Sequence, residues 1–172
     1  MSKYRMKFNF ASSDNPVLVV IDMQPNHTSD LLLLKVIKRE ITQAVANQLP
    51  VVLVQYLQCG EIYSELLDAA QLEPGSQLRF IIGKSNDNGA AEVLGSCRKN
   101  ALDLTHIKIC GVNTNACVEE TTLALAKQLP NSLIEVLGYA CRNKNSTNDF
   151  KPFRQRNIVI TERNTFAQDL AA

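Results

Sequence analysis

Short runs of branched aliphatic side chains, separated by longer amphipathic stretches, constrain the fold of this sequence more than any other feature. The first run is PVLVVID, Pro16 to Asp22. A continuous apolar run of that length marks a strand buried on both faces. VVLVQYL (Val51 to Leu57), LRFIIGK (Leu78 to Lys84), HIKICGV (His106 to Val112), SLIEVLG (Ser132 to Gly138) and NIVIT (Asn157 to Thr161) repeat the pattern. Between the first two runs, Ser29 is placed to cap a helix. In that helix Leu34, Ile37, Ile41 and Val45 recur at helical spacing, until Leu49 and Pro50 end it. Glu61 to Gln71 reads as a short helix with Ile62, Leu66 and Ala69 inward, and Ala90 to Asn100 as another. A further helix opens near Cys117 and carries Val118, Thr122, Leu125 and Leu129 on one stripe. The polar CRNKNSTND reads as a loop that starts a helix at Ser146 or Thr147, and the tail as a small helix. Strands alternating with helices predict a three-layer α/β/α, Rossmann-like fold. Its sheet would be mainly parallel, with about six strands, in one domain over residues 1–172.

Composition narrows the function classes. The chain has 172 residues, 45% of them hydrophobic and 20% charged, ordinary values for a globular domain. A net charge of +1 gives no argument for nucleic acid or an acidic membrane surface as partner. The N-terminal MSKYRMKFNFASSDNP lacks the apolar core of a signal peptide, and no apolar run is long enough to span a bilayer. The five cysteines are scattered, with no C-x-x-C pair and no histidine at zinc spacing. Free thiols in a reducing cytoplasm, without a structural metal, are the expectation.

Ligands of parallel α/β sheets bind outside the carboxyl ends of the strands. Asp22 ends the first strand, Lys84 ends the third, and Cys117 follows the fourth after the turn GVNTNA. An acid, a base and a thiol are thus expected on one sheet edge. The thiolate is the nucleophilic form of cysteine, and a helix N-terminus and a nearby ammonium both favour it. Asp22 is suited to take a thiol proton and deliver it to a leaving amine. Glu119 and Glu120 oppose a thiolate, so Lys84 would have to lie closer than they do.

VVIDMQ, then GK, then ICGVNTNACVEETTLAL resemble the isochorismatase-like cysteine hydrolases, the superfamily that includes nicotinamidases. The most specific part is the G-V-x-T-x-x-C-V block, with Thr121 four residues past the cysteine. The resemblance covers Pro16 to about Tyr139. It implies a catalytic triad of Asp22, Lys84 and Cys117, and an oxyanion hole from the backbone N–H groups of Asn113 and Cys117. It also implies a cis peptide at Val112–Asn113 and self-association into dimers or larger assemblies. Nicotinamidases carry an Asp-x-His metal motif after the second strand. Here that strand runs into QYLQCGEIYSE, without histidine, so no metal or other cofactor is expected. Relatives commonly have an aromatic residue five positions past the catalytic Asp, where this chain has His27, and the segment after Lys84 is the more polar SNDN. His27, Gln24 and Asn86 are therefore the candidates for holding a small-molecule substrate. Isochorismatase proper does not use the cysteine, so Cys117 favours acyl chemistry on an amide.

Plainer readings stand beside these. A cysteine at a helix start is commonly buried and inert, a lysine after a strand is usually solvated, and an aspartate at a strand end is often a cap. Asn86, Asp87 and Asn88 read most simply as turn formers, and His106 and Cys110 as structural. Two other functions remain open: a small-molecule-binding or regulatory protein that kept the fold without efficient catalysis, and a redox-sensing thiol.

Overall fold

The computed structural model describes residues 15–144 and 147–162. Six strands form one sheet: β1 (Val17–Ile21), β2 (Val51–Tyr56), β3 (Arg79–Lys84), β4 (His106–Val112), β5 (Leu133–Arg142) and β6 (Ile158–Thr161). Their order is β3-β2-β1-β4-β5-β6, and every neighbouring pair is parallel. The helices are α1 (Leu31–Ala46), α2 (Ser64–Ala70), α3 (Ala90–Lys99) and α4 (Glu119–Gln128). The chain steps one way along the sheet from β1 to β3, then crosses back and continues the other way from β4. Right-handed crossovers therefore put α1 and α2 on one face and α3 and α4 on the other. The contacts agree: α1 packs on α2, and α3 on α4. The predicted three-layer α/β/α architecture is the one observed. Every residue of β1 is buried, as are Val51–Val54 of β2, because helices cover both faces. Among the described residues, no helix is long and apolar enough to cross a membrane.

Several boundaries differ from the sequence expectation, each for a local reason. The cap of α1 is Asp30, not Ser29: Asp30 Oδ1 accepts from the N–H groups of Leu32 and Leu33 at 3.0 and 2.9 Å. A carboxylate meets those amides with a full charge at the positive end of the helix dipole. The helix stops at Ala46, before Leu49, and Gln48 turns into the left-handed region at φ 56°. α2 starts at Ser64, not Glu61, because the Tyr63 amide is held by the Met23 carbonyl at 3.1 Å. β5 continues past Gly138 to Arg142. Its pairing with β4 jumps from Ile109↔Val136 to Gly111↔Cys141 across a bulge, so Cys141 and Arg142 still find partners on β4. Residues 147–150 form no helix, since their polar groups are engaged elsewhere; Ser146 and the tail lie outside the described residues.

Candidate active site

The reversal in chain direction lies between β1 and β4, so the crevice of this sheet opens at their carboxyl ends. Two features bring those ends unusually close. Gly111 has φ +125°, and a Cβ placed on it would lie 2.1 Å from the Ile21 carbonyl oxygen. Only glycine permits that approach. Directly after Ile21, Asp22 adopts a left-handed backbone at φ 52°, tolerable for Asp but uncommon for a residue with a side chain. Its amide donates to Val54 O at 2.9 Å, and its carbonyl accepts from Gln24 at 2.8 Å. Both bonds turn the carboxylate into the crevice instead of along the strand.

There Asp22 meets Lys84. The ammonium Nζ lies 2.8 Å from Asp22 Oδ2, and both side chains are completely buried. Lys84 also donates to the Asn86 carbonyl at 2.9 Å and sits 4.4 Å from the centre of the Tyr56 ring. The Lys84 stem passes so close to Gly89 that a Cβ there would lie 2.9 Å from Lys84 Cδ. This is a compensated charge pair in a dry site, the condition under which a buried lysine persists. Asp22 Oδ1 has no hydrogen-bond partner among the described residues.

Cys117 completes the group. The Val112–Asn113 peptide is cis, and Thr114–Val118 form one wide turn before α4 becomes regular at Glu119. Asn113 O accepts from both Ala116 and Val118 amides, at 3.2 and 3.1 Å. The turn therefore closes on Asn113 and brings Cys117 back toward Asp22. The residue is 3% exposed. Burial pushes its thiol up to about 12; the facing Asp22 carboxylate adds to the rise, Lys84 pulls against it, and Asp87 adds again. The sequence expectation is a thiol held as an anion; burial and the two carboxylates act against that form. Lys84 is largely compensated by Asp22, and desolvation together with two carboxylates outweighs it.

Asp87 is the site residue that sequence reasoning passed over. It is not merely a turn former, because Cys117 Sγ donates to its Oδ1 at 3.4 Å. Thr121 fixes the loop: its hydroxyl accepts from Gly89 N at 2.9 Å and donates to Asp87 O at 3.4 Å. SNDNG holds a single carboxylate, but the order of its residues does not tell whether that side chain turns inward or into solvent.

The remaining candidates separate. Gln24 is buried, with its amide oxygen accepting from Tyr56 N at 2.8 Å and its nitrogen donating to the Tyr56 and Gly60 carbonyls. Those bonds occupy its amide, so Gln24 braces the end of β2 and is not free to hold substrate. His27 packs its ring on Tyr56, with centroids 5.8 Å apart, and its Nε2 is buried without a partner among the described residues. Asn86 is exposed; its carbonyl serves Lys84 and its side chain accepts from the Asn88 amide.

Asn143, Lys144, Asn148 and Asp149 buttress the turn that carries Cys117. Asn115 N donates to Asn143 Oδ1 at 2.9 Å, and Asn115 Oδ1 accepts from Asn143 Nδ2 at 2.7 Å and from Asp149 N at 2.8 Å. Thr114 donates to Asn148 Oδ1 at 2.8 Å, and Asn113 Oδ1 accepts from Lys144 N at 2.9 Å. Beside this turn lies a cleft of about 560 Å³, lined by Pro25, Asn26, Asp30, Arg142, Asn143 and Lys144 among others. None of Asp22, Lys84 or Cys117 lines it. Among the described residues, no group of His, Cys, Asp or Glu side chains is arranged to hold a metal ion.

No family profile matches this sequence, and no curated protein sequence matches it. Solved structures do. MAR1 ribonuclease from Caenorhabditis elegans superposes with a TM-score of 0.67 at 18% identity, covering 86% of this chain and 77% of that one. Nicotinamidase/pyrazinamidase PncA from Bacillus subtilis gives 0.68 at 12% identity, covering 86% of this chain and 100% of its own. A hydrolase of the isochorismatase family from Chromobacterium violaceum gives 0.65 at 17% identity, covering 87% and 90%. The parallel sheet, its strand order and these superpositions together show that the chain has the isochorismatase-like fold.

Proposed function

We propose that the protein is a cysteine hydrolase of small amides that works without a metal, with Cys117 as nucleophile. The observation that carries this reading is the buried Lys84–Asp22 pair facing a cysteine at the switch point of the sheet. Likeness in fold to nicotinamidases supports amide chemistry; likeness to a ribonuclease shows that the fold alone does not set the reaction.

The neutral thiol dictates the order of events. Cys117 does not wait as a thiolate; it loses its proton to Asp22 as sulfur attacks the amide carbon. The carbonyl π electrons move to oxygen, and the N–H groups of Asn113 and Cys117 hold that oxyanion. Collapse breaks the C–N bond, and the leaving amine takes the proton from Asp22. Water then attacks the thioester, giving a proton to Asp22. Cleavage of the C–S bond releases the acid and returns that proton to sulfur. Lys84 fixes the Asp22 carboxylate throughout.

One observation favours a second reading. A thiol raised to about 12 is poorly activated, as expected of a binding or regulatory protein that kept the pocket. A screen of amide and carbamate hydrolysis by wild type beside Cys117→Ala decides between the two. Turnover lost in the variant, with an acyl adduct on Cys117 in the wild type, supports the hydrolase. Equal turnover in both proteins would sink the covalent route, and no turnover in either would leave the binding protein.

A further inference from the structure

We infer that Asp87 makes the mouth of this site a subsite for a cationic group, so that the preferred ligand is a small amide bearing an ammonium close to its carbonyl. The substrate class deepens the hydrolase reading and rests on it; the subsite itself does not.

The argument is one of local charge. Lys84 and Asp22 lie 2.8 Å apart in a fully buried pair, which leaves little net charge. Asp87 belongs to the exposed loop after β3, yet its carboxylate is turned onto the sulfur that a ligand must approach. The only hydrogen bond to that carboxylate among those described is from the thiol, and no cation lies within ion-pair distance of it among the described residues. The Asp22 carboxylate, whose buried Oδ1 has no hydrogen-bond partner among the described residues, acts on the same thiol. Sulfur is thus held between two carboxylates with one ammonium to offset them. Glu119, the other carboxylate on the turn, is engaged by Asn115 Nδ2 at 3.1 Å.

Two cations of the neighbouring cleft are engaged elsewhere. Arg142 lies 3.6 Å from Asp30, and the Lys144 ammonium donates to Asn26 O at 3.4 Å; both line the neighbouring cleft. A cation bound at Asp87 would offset the charge that opposes loss of the thiol proton, so the right ligand would also ease deprotonation of Cys117. A neutral isostere gains neither effect, and an anion meets a repulsive mouth.

The experiment reads the charge preference on sulfur first, independently of turnover. Cys117 is modified at neutral pH with aminoethyl or sulfonatoethyl methanethiosulfonate, and modification at that cysteine is followed by mass spectrometry. The cationic reagent is expected to react about tenfold faster than the anionic one beyond their ratio on a free thiol, and Asp87→Asn is expected to erase that excess. Taking the ratio cancels any change in thiol acidity, and circular dichroism checks that the variant is folded. Equal rates in the wild type, a faster anionic reagent, or a preference that survives Asp87→Asn would each overturn the subsite. Glycinamide and propionamide, a charged and a neutral amide of the same shape, are then compared as substrates. A kcat/KM ratio favouring glycinamide that falls in Asp87→Asn supports the substrate class, and an unchanged ratio overturns it. Cation-selective modification without hydrolysis of either amide keeps the subsite and overturns the substrate class; the hydrolase reading itself falls only with the wider screen.

Discussion

The Lys84 ammonium rests 2.8 Å from Asp22 Oδ2 with neither side chain reaching solvent, although Lys84 ends β3 and Asp22 follows β1, with β2 between the two strands. Removing one partner leaves the other charged in a dry pocket. Lys84→Met is expected to destabilise the fold by about 3–5 kcal/mol in urea unfolding. Asp22→Asn combined with Lys84→Met should recover most of that loss and yet remain inactive. A single variant as stable as wild type would show that the pair is hydrated.

The raised thiol makes a kinetic prediction. Alkylation of Cys117 by iodoacetamide should climb about tenfold per pH unit through pH 10, with no levelling near the ordinary thiol value of about 8.5. Burial likewise pushes Cys141 up to about 12 and Cys97 up to about 11. The contribution of these thiols to stability is full below their unfolded values near 9 and falls as the pH rises toward the folded ones. A plateau in Cys117 reactivity below pH 8 would contradict the neutral resting state.

Gly111 and Gly75 offer a controlled comparison. Both have positive φ, but a Cβ at Gly111 would strike the Ile21 carbonyl, whereas one at Gly75 meets nothing within 4 Å. Gly75→Ala should cost about 1–2 kcal/mol from backbone conformation alone. Gly111→Ala should cost more than about 3 kcal/mol or yield insoluble protein, because β1 and β4 cannot separate without opening the crevice. Similar thermal midpoints for the two variants would refute the steric reading.

Away from the crevice, His106 Nε2 lies 3.0 Å from Glu135 Oε2, and Thr161 donates to Oε1 at 2.6 Å. The His106 hydrogen bond, helped by Thr161 and Lys108 and opposed by burial, holds the Glu135 carboxyl below its ordinary value near 4.5. Its stabilising effect is present above that value and is lost as the pH falls through the lower folded one. Glu135→Gln should therefore flatten the loss of stability as the pH falls below about 4.5, measured by urea unfolding at each pH. An unchanged acid limb would mean that other carboxylates control it.

Strand identity was legible because branched aliphatic runs are a local signal that survives any tertiary context. The run from Val17 to Ile21 is apolar throughout, and the structure buries every residue of it. The same runs, alternating with helices, implied a mainly parallel sheet, and strands that all run one way place Asp22, Lys84 and the turn before Cys117 at one edge. Three-dimensional packing decided the rest. Whether Cys117 is charged depends on desolvation and on carboxylates from two distant loops, and Asp87 turns inward only because Thr121, on another element, grips its loop. The asparagine network behind the Cys117 turn joins residues far apart in the chain, so no window of sequence contains it. Electrostatics and side-chain direction are sums over neighbours in space, and a linear sequence does not state who those neighbours are.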